Sequence, residues 1–353
     1  MTSSTPDSSS ASPQPKPREG FDGWVRSNPW HPRIAPFFCW IVFMTVAQFL
    51  PEAFTPAKPF LYIAQCVATL WLMWHYRKLT PELTLRFHWL AIPTGVGLLV
   101  AWVVLGYAMA GELGWRWTQA VAGQWDAAFG PAIPYDTLGV EPGRFGPDLD
   151  AEGGIIPHPI QDQIAATPVL GYLALGLRLV GMALIVPLFE EMFIRSAMLR
   201  GLHRPGPTFA GLLQFASDLP GVGDWISQTR AGQNANAQPP ALTKQLNDTP
   251  LGAVTVFAII ASTIVFMASH QPRDWPGCIA CGIVWCALVW WTNRPRPQKG
   301  ETWDTIRIRP EHQDDGTAHN TGRLGLGPVA WSHGITNALL WGYTVMWNDW
   351  RFL

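Results

Sequence analysis

Seven nearly uncharged apolar runs recur along the chain, near 34–50, 59–76, 89–109, 168–189, 251–268, 276–292 and 326–347. Each approaches the roughly 20 residues that a helix needs to cross a hydrocarbon core. Aromatic side chains crowd their ends (Trp40, Trp71, Trp74, Trp89, Trp290, Trp291, Trp347), as in an interfacial belt. The pattern predicts an all-α fold, a polytopic transmembrane helical bundle of about 7–8 spans.

Polar stretches punctuate these runs. Residues 1–32 are rich in Ser and Pro and lack the apolar centre of a signal peptide. They read as a disordered cytoplasmic tail. Residues 33–353 are expected to form one membrane domain with polar insertions at 110–165, 205–249 and 293–325. The second insertion contains GQNANAQPP and reads as a mobile loop. With the N-terminus in the cytoplasm, seven spans place 1–33, 77–88, 190–249 and 293–325, and most of the Lys and Arg, on the cytoplasmic side. The loop 110–165, whose acids outnumber Arg116 and Arg144, then falls outside. This satisfies the positive-inside rule.

Composition narrows the function classes. Charged residues are 14% of the chain, against about 25% in an ordinary globular protein. The chain cannot coat a water-soluble surface of this size, which excludes a soluble enzyme. A net charge of −1 leaves no basic field, so no nucleic-acid partner is expected. Membrane lipid is the expected surrounding. The five Cys form no secreted-type framework. Cys278-x-x-Cys281, with Cys286 nearby, lies inside an apolar run with no electropositive neighbour, and reads as packing.

Ionisable groups inside a membrane are costly and point to function. Glu190 and Glu191 close one apolar run, and Arg195 is i+4 from Glu191, the spacing of a helical ion pair. Glu190 is about 100° away around the helix and unpaired. A carboxylate desolvated near lipid becomes a stronger base, which suits it to general base catalysis. The plainer alternative is a helix-end pair solvated at the interface. His270 closes another run as Phe266-x-x-x-His270, and alone reads as an interfacial residue. His333 and Asn337 are i, i+4 on one face of the last run. A structural interhelical hydrogen bond is the alternative there. Arg178 lies within the run leading to Glu190, with no role assigned.

Together the motifs Glu-Glu-x-x-x-Arg (190–195), Phe-x-x-x-His (266–270) and His-x-x-x-Asn (333–337) resemble the CAAX prenyl protease and bacteriocin-processing (Abi) family of intramembrane endopeptidases. The resemblance is strongest over 178–202 and 326–340. Arg178 to Gly181, Val186-Pro187 and Glu190-Glu191 are similar to a bacterial CAAX prenyl protease-related subgroup, associated with surface-protein sorting. The resemblance implies an enzyme of the bacterial cytoplasmic (inner) membrane that hydrolyses a peptide bond in a membrane-associated peptide or protein. It implies that Glu190 activates water, supported by Glu191 and held by Arg195. His270 would position the water, and His333 and Asn337 would stabilise the oxyanion. Either no cofactor or zinc is consistent with it. If zinc, the ligands would be Glu190, His270 and His333. Two departures stand out: Ser196 follows Arg195 where the family usually has Gly, and 205–249 is long for this position.

The alternative is a non-catalytic membrane scaffold or immunity-type protein that keeps the same fold. A transporter is a further alternative, but no repeated half is visible. Gly221-Val222-Gly223-Asp224 and Tyr135-Asp136 match intramembrane aspartyl protease patterns but lie in polar loops. No His-Glu-x-x-His occurs, which disfavours a site-2 metalloprotease. His203, His312 and His319 lie in cytoplasmic segments. In the seven-span topology Glu190 and His270 end on opposite sides. They meet only if the Glu190 helix runs deep, or if 205–227 makes a further pass.

Overall fold

The computed structural model describes residues 20–51, 54, 57–110, 167–217, 221–270, 272–294, 322–347 and 349. Most of the insertions 110–165 and 293–325, the tail up to residue 19, Tyr135-Asp136, His312 and His319 lie outside these residues.

The protein is an all-α membrane bundle. Each of the seven apolar runs forms a helix. These are α2 (His31–Gln48), α3 (Lys58–His75), α4 (Ala91–Ala110), α5 (Pro168–Gly201), α10 (Val256–Ala268), α11 (Trp275–Asn293) and α12 (Gly327–Trp347). A short helix α1 (Gly20–Ser27) precedes them, and α6 (Pro205–Ser217), α7 (Gly223–Gln228), α8 (Arg230–Asn236) and α9 (Ala241–Asp248) fall between α5 and α10. Among the described residues three helices are, by length and composition, long and apolar enough to cross a membrane: Ala91–Met109, Pro168–Gly201 and Trp275–Asn293. The run expected at 251–268 starts its helix only at Val256. Gly252 takes a left-handed φ of +93°, which breaks the approach. Thr255 then caps α10, its Oγ1 accepting the Ala258 N–H at 3.1 Å.

Two expectations are corrected. The tail expected over 1–32 is helical from Gly20 to Ser27, because Val25 packs with Leu72 and Tyr76. The insertion 205–249, expected as a mobile loop, folds into α6–α9. Its Gln side chains act as struts: Gln214 Nε2 donates to the Ala235 carbonyl (2.8 Å), and Gln245 Nε2 to that of Gly201 (3.0 Å). Polar composition there reflects backbone satisfaction within a small helical layer.

Packing is inverted relative to a water-soluble protein. The outer faces carry exposed Val96, Val100 and Val104 on α4 and Ile260 and Ile264 on α10. Such apolar surface is stable facing lipid. The inside holds α5, whose residues Glu191 to Ala197 are all buried. Phe193 stacks on Phe37 of α2 at 4.3 Å, and Phe189 lies against Trp40 at 5.1 Å. Helix α12 runs along α4 and crosses α5, while α10 packs on α11 and on the second half of α5.

Candidate active site

The site grows from the sequence of α5. Pro187 has no N–H to give the carbonyl four residues back, and its ring crowds that carbonyl. The helix widens into a π segment at Gly181–Ile185, just before Val186–Glu191, and again at Met192–Met198. Widened turns of this kind release carbonyls to outside partners and recur at functional sites. Asn337 Nδ2 donates to the Met182 carbonyl at 2.9 Å. Helix α12 comes this close because residue 334 is Gly: a Cβ there would run into the Ala183 carbonyl. Gly334→Ala is expected to destabilise the bundle by about 1–3 kcal/mol, since neither backbone can give way. A thermal melt in detergent against wild type measures this.

Because α5 continues past Glu190 to Gly201, Glu190 sits deep inside the bundle rather than at a helix end. This answers the topological conflict by the first of its two routes. Glu190, Glu191, Arg195 and His333 come together in one buried cluster. His333 Nδ1 lies 2.9 Å from Glu191 Oε1, and His333 Nε2 lies 3.8 Å from Glu190 Oε2. Arg195 Nε lies 3.5 Å from Glu191 Oε2. Glu191 therefore links the histidine and the arginine. Glu190 Oε2 is buried with no hydrogen-bond partner among the described residues.

Aromatic rings hold this cluster. The Arg195 guanidinium lies 5.3 Å from the Phe266 ring centroid and 5.6 Å from that of Trp285, in cation–π range. Trp285 also stacks on His333, with centroids 4.2 Å apart. Its indole Nε1–H donates to Ser332 Oγ at 3.1 Å. Ser332 Oγ in turn lies 2.9 Å from Thr94 Oγ1, whose hydroxyl donates to the Leu90 carbonyl at 2.6 Å. This relay from α4 through α11 orients the His333 ring.

His270, at the foot of α10, is close enough to Glu190 to interact with its charge. Its Nδ1 lies 2.9 Å from the Phe266 carbonyl, which only accepts, so Nδ1 carries the proton and Nε2 of the neutral ring is the acceptor. Phe266 thus supplies both a ring to Arg195 and a carbonyl to His270. Asn337 shares the His333 face, but one of its N–H groups is committed to Met182.

Residues 173–297 match the family model described as type II CAAX prenyl endopeptidase Rce1-like. Over this segment the chain is similar to that family. The matched segment contains Glu190, Glu191, Arg195 and His270, and ends before His333 and Asn337. The curated proteins and the solved structures returned no match.

No three His, Cys, Asp or Glu among the described residues group so as to hold a metal ion. His333 Nδ1 faces Glu191 and His270 Nδ1 faces a carbonyl, which leaves Nε2 of each ring as the nitrogen open to a further partner. Asp224 of the Gly-x-Gly-Asp stretch is exposed on α7. Cys278, Cys281 and Cys286 are buried free thiols in the core. Arg178 is buried in α5.

Sequence reasoning missed a second buried charge group. Arg33 Nε lies 2.6 Å and Nη2 3.1 Å from the two carboxylate oxygens of Glu82, and Arg200 Nη1 lies 3.6 Å from Glu82 Oε1. Ser196 Oγ donates to Glu82 as well. The Ser in place of the family's Gly thus ties the site helix to this group. The available signal was a lone Arg and a lone Glu flanking apolar runs, with nothing local to pair them.

Proposed function

We propose that this protein is an intramembrane endopeptidase that hydrolyses a peptide bond in a membrane-associated peptide or protein, in the bacterial inner membrane with its N-terminus in the cytoplasm. The observation that carries this reading is the Glu190 carboxylate, whose buried Oε2 has no hydrogen-bond partner among the described residues and lies 3.8 Å from His333 Nε2. A desolvated carboxylate there is a base without competing partners.

In the proposed reaction water attacks the scissile carbonyl carbon while Glu190 takes one of its protons. His270 Nε2 accepts a hydrogen bond from the other O–H, aiming the water. The carbonyl oxygen gains the negative charge and is met by donors from α12: His333 Nε2 when that nitrogen carries a proton, and the second N–H of Asn337. The C–N bond then breaks and the proton on Glu190 passes to the departing amine. Glu191 and Arg195 hold His333 and the helix in place. No step is routed through a metal.

The test is purified protein in detergent, incubated with a library of membrane-anchored peptides with and without a chelator, with products read by mass spectrometry. Cleavage that resists the chelator and falls at least about 10²-fold in His333→Ala is the expected result. Full turnover in His333→Ala removes the oxyanion role. Failure of wild type on every peptide favours the scaffold reading.

A further inference from the structure

Where α1, the start of α2, the end of α5 and α9 converge, a cavity of about 220 Å³ opens. Its lining includes Arg26, Asn28, Arg33, Arg200, Leu246 and Asn247, with no Asp or Glu among the described residues of the wall. Three arginines therefore line one space, two of them already donating to Glu82, Ser196 or the carbonyls of Pro29, Leu246 and Thr249.

Their charge is only partly answered. Arg33 and Arg200, both nearly fully buried, share the single carboxylate of Glu82 behind the wall. Arg26 pairs with Asp22 at 2.9 Å on the exposed side. Among the described residues one positive charge stays uncompensated in the buried part, and the second N–H of each Nη of Arg33 and Arg200 is left for a further acceptor. An uncompensated buried charge is costly, and an anion in the cavity would offset it. A guanidinium fork matches tetrahedral oxyanions by paired hydrogen bonds, and the Asn28 and Asn247 amides add donors at the wall. The position fits too. Arg33 is in the first turn of α2 and Arg200 next to the last residue of α5, both at ends of apolar helices, where a bilayer's phosphates lie.

We propose that this cavity is a binding site for a phosphate-class anion held by Arg26, Arg33 and Arg200. A phospholipid headgroup and free phosphate share that chemistry. The assignment is independent of peptidase activity. Ser196, bonded to Glu82 and next in sequence to Arg195, joins the cavity wall to the other buried cluster.

The test measures the thermal midpoint of the full chain in non-ionic detergent against inorganic phosphate at constant ionic strength set by chloride. The measurement is repeated in phosphatidylcholine bilayers with and without phosphatidylglycerol. Arg26→Gln and Asn247→Asp alter the wall while leaving the Arg33–Glu82 pair intact, so both should fold. A rise with phosphate that needs about tenfold more ligand in the variants supports the site, with free phosphate sufficient. A rise with phosphatidylglycerol alone, weakened in the same variants, supports it with the headgroup as source. No rise with either ligand, an equal rise with chloride, or variants that respond like wild type overturns it.

Discussion

Glu190→Gln lowers peptide hydrolysis by about 10²–10⁴-fold or more, while the protein folds and elutes as wild type does. The amide matches the carboxylate in shape, so packing against α12 is kept. What is lost is the lone pair able to take a proton from water. Gln also removes the like-charge neighbour of Glu191, so stability should hold or rise. The measurement pairs the peptide assay with a thermal melt. An inactive but well-folded variant separates loss of the base from loss of the fold. Undiminished turnover in Glu190→Gln would defeat the glutamate-base reading, and the Glu191–His333 pair would be the next place to look.

Glu82→Gln has the largest expected effect on stability. Glu82 is fully buried and receives Arg33 through both oxygens, Ser196 through one, and Arg200 nearby. Burial alone pushes its carboxyl up, but Arg33 and Arg200 outweigh burial and hold it down, at about 2. Removing the charge strands two arginines in the interior, a loss on the order of 3–5 kcal/mol. The pH dependence has a defined sign. Because the folded value lies below the ordinary 4.5, the contribution is complete above about pH 4.5. It fades as pH falls toward about 2, where wild type too becomes protonated. The midpoints of wild type and Glu82→Gln should therefore lie far apart at pH 7 and converge below pH 4.5. A constant gap down to the lowest measurable pH would mean that Glu82 acts by shape rather than charge.

The two clusters differ in how far local pattern foretold them. Glu191 and Arg195 are one helical turn apart, and so are His333 and Asn337, so a periodicity of 3.6 residues puts each pair on one face. The Glu190–His333 meeting was inferred from the resemblance of three ordered motifs, and the folded chain brings the two within 3.8 Å. Nothing local announced that Pro187 would widen α5, or that Met182 would turn its freed carbonyl to Asn337 across 155 residues of sequence. The Trp285–Ser332–Thr94 relay likewise joins three helices that are distant in sequence.

The amino-acid sequence by itself determined the helices and the medium. Long uncharged runs must satisfy their backbone internally once in lipid, and a helix does this without outside partners. It also marked the residues too costly to place in a membrane without purpose, Glu190, Glu191, Arg195 and His333. The tertiary structure alone decided who pairs with whom. Glu191 divides between Arg195, four residues away, and His333, 142 residues away. Arg33 finds Glu82 across 49 residues, and the polar stretch 205–249 becomes helices because α5 and its own Gln side chains give its backbone partners. Such choices rest on which surfaces the packed helices bring within hydrogen-bond reach, and the chain states that only when folded.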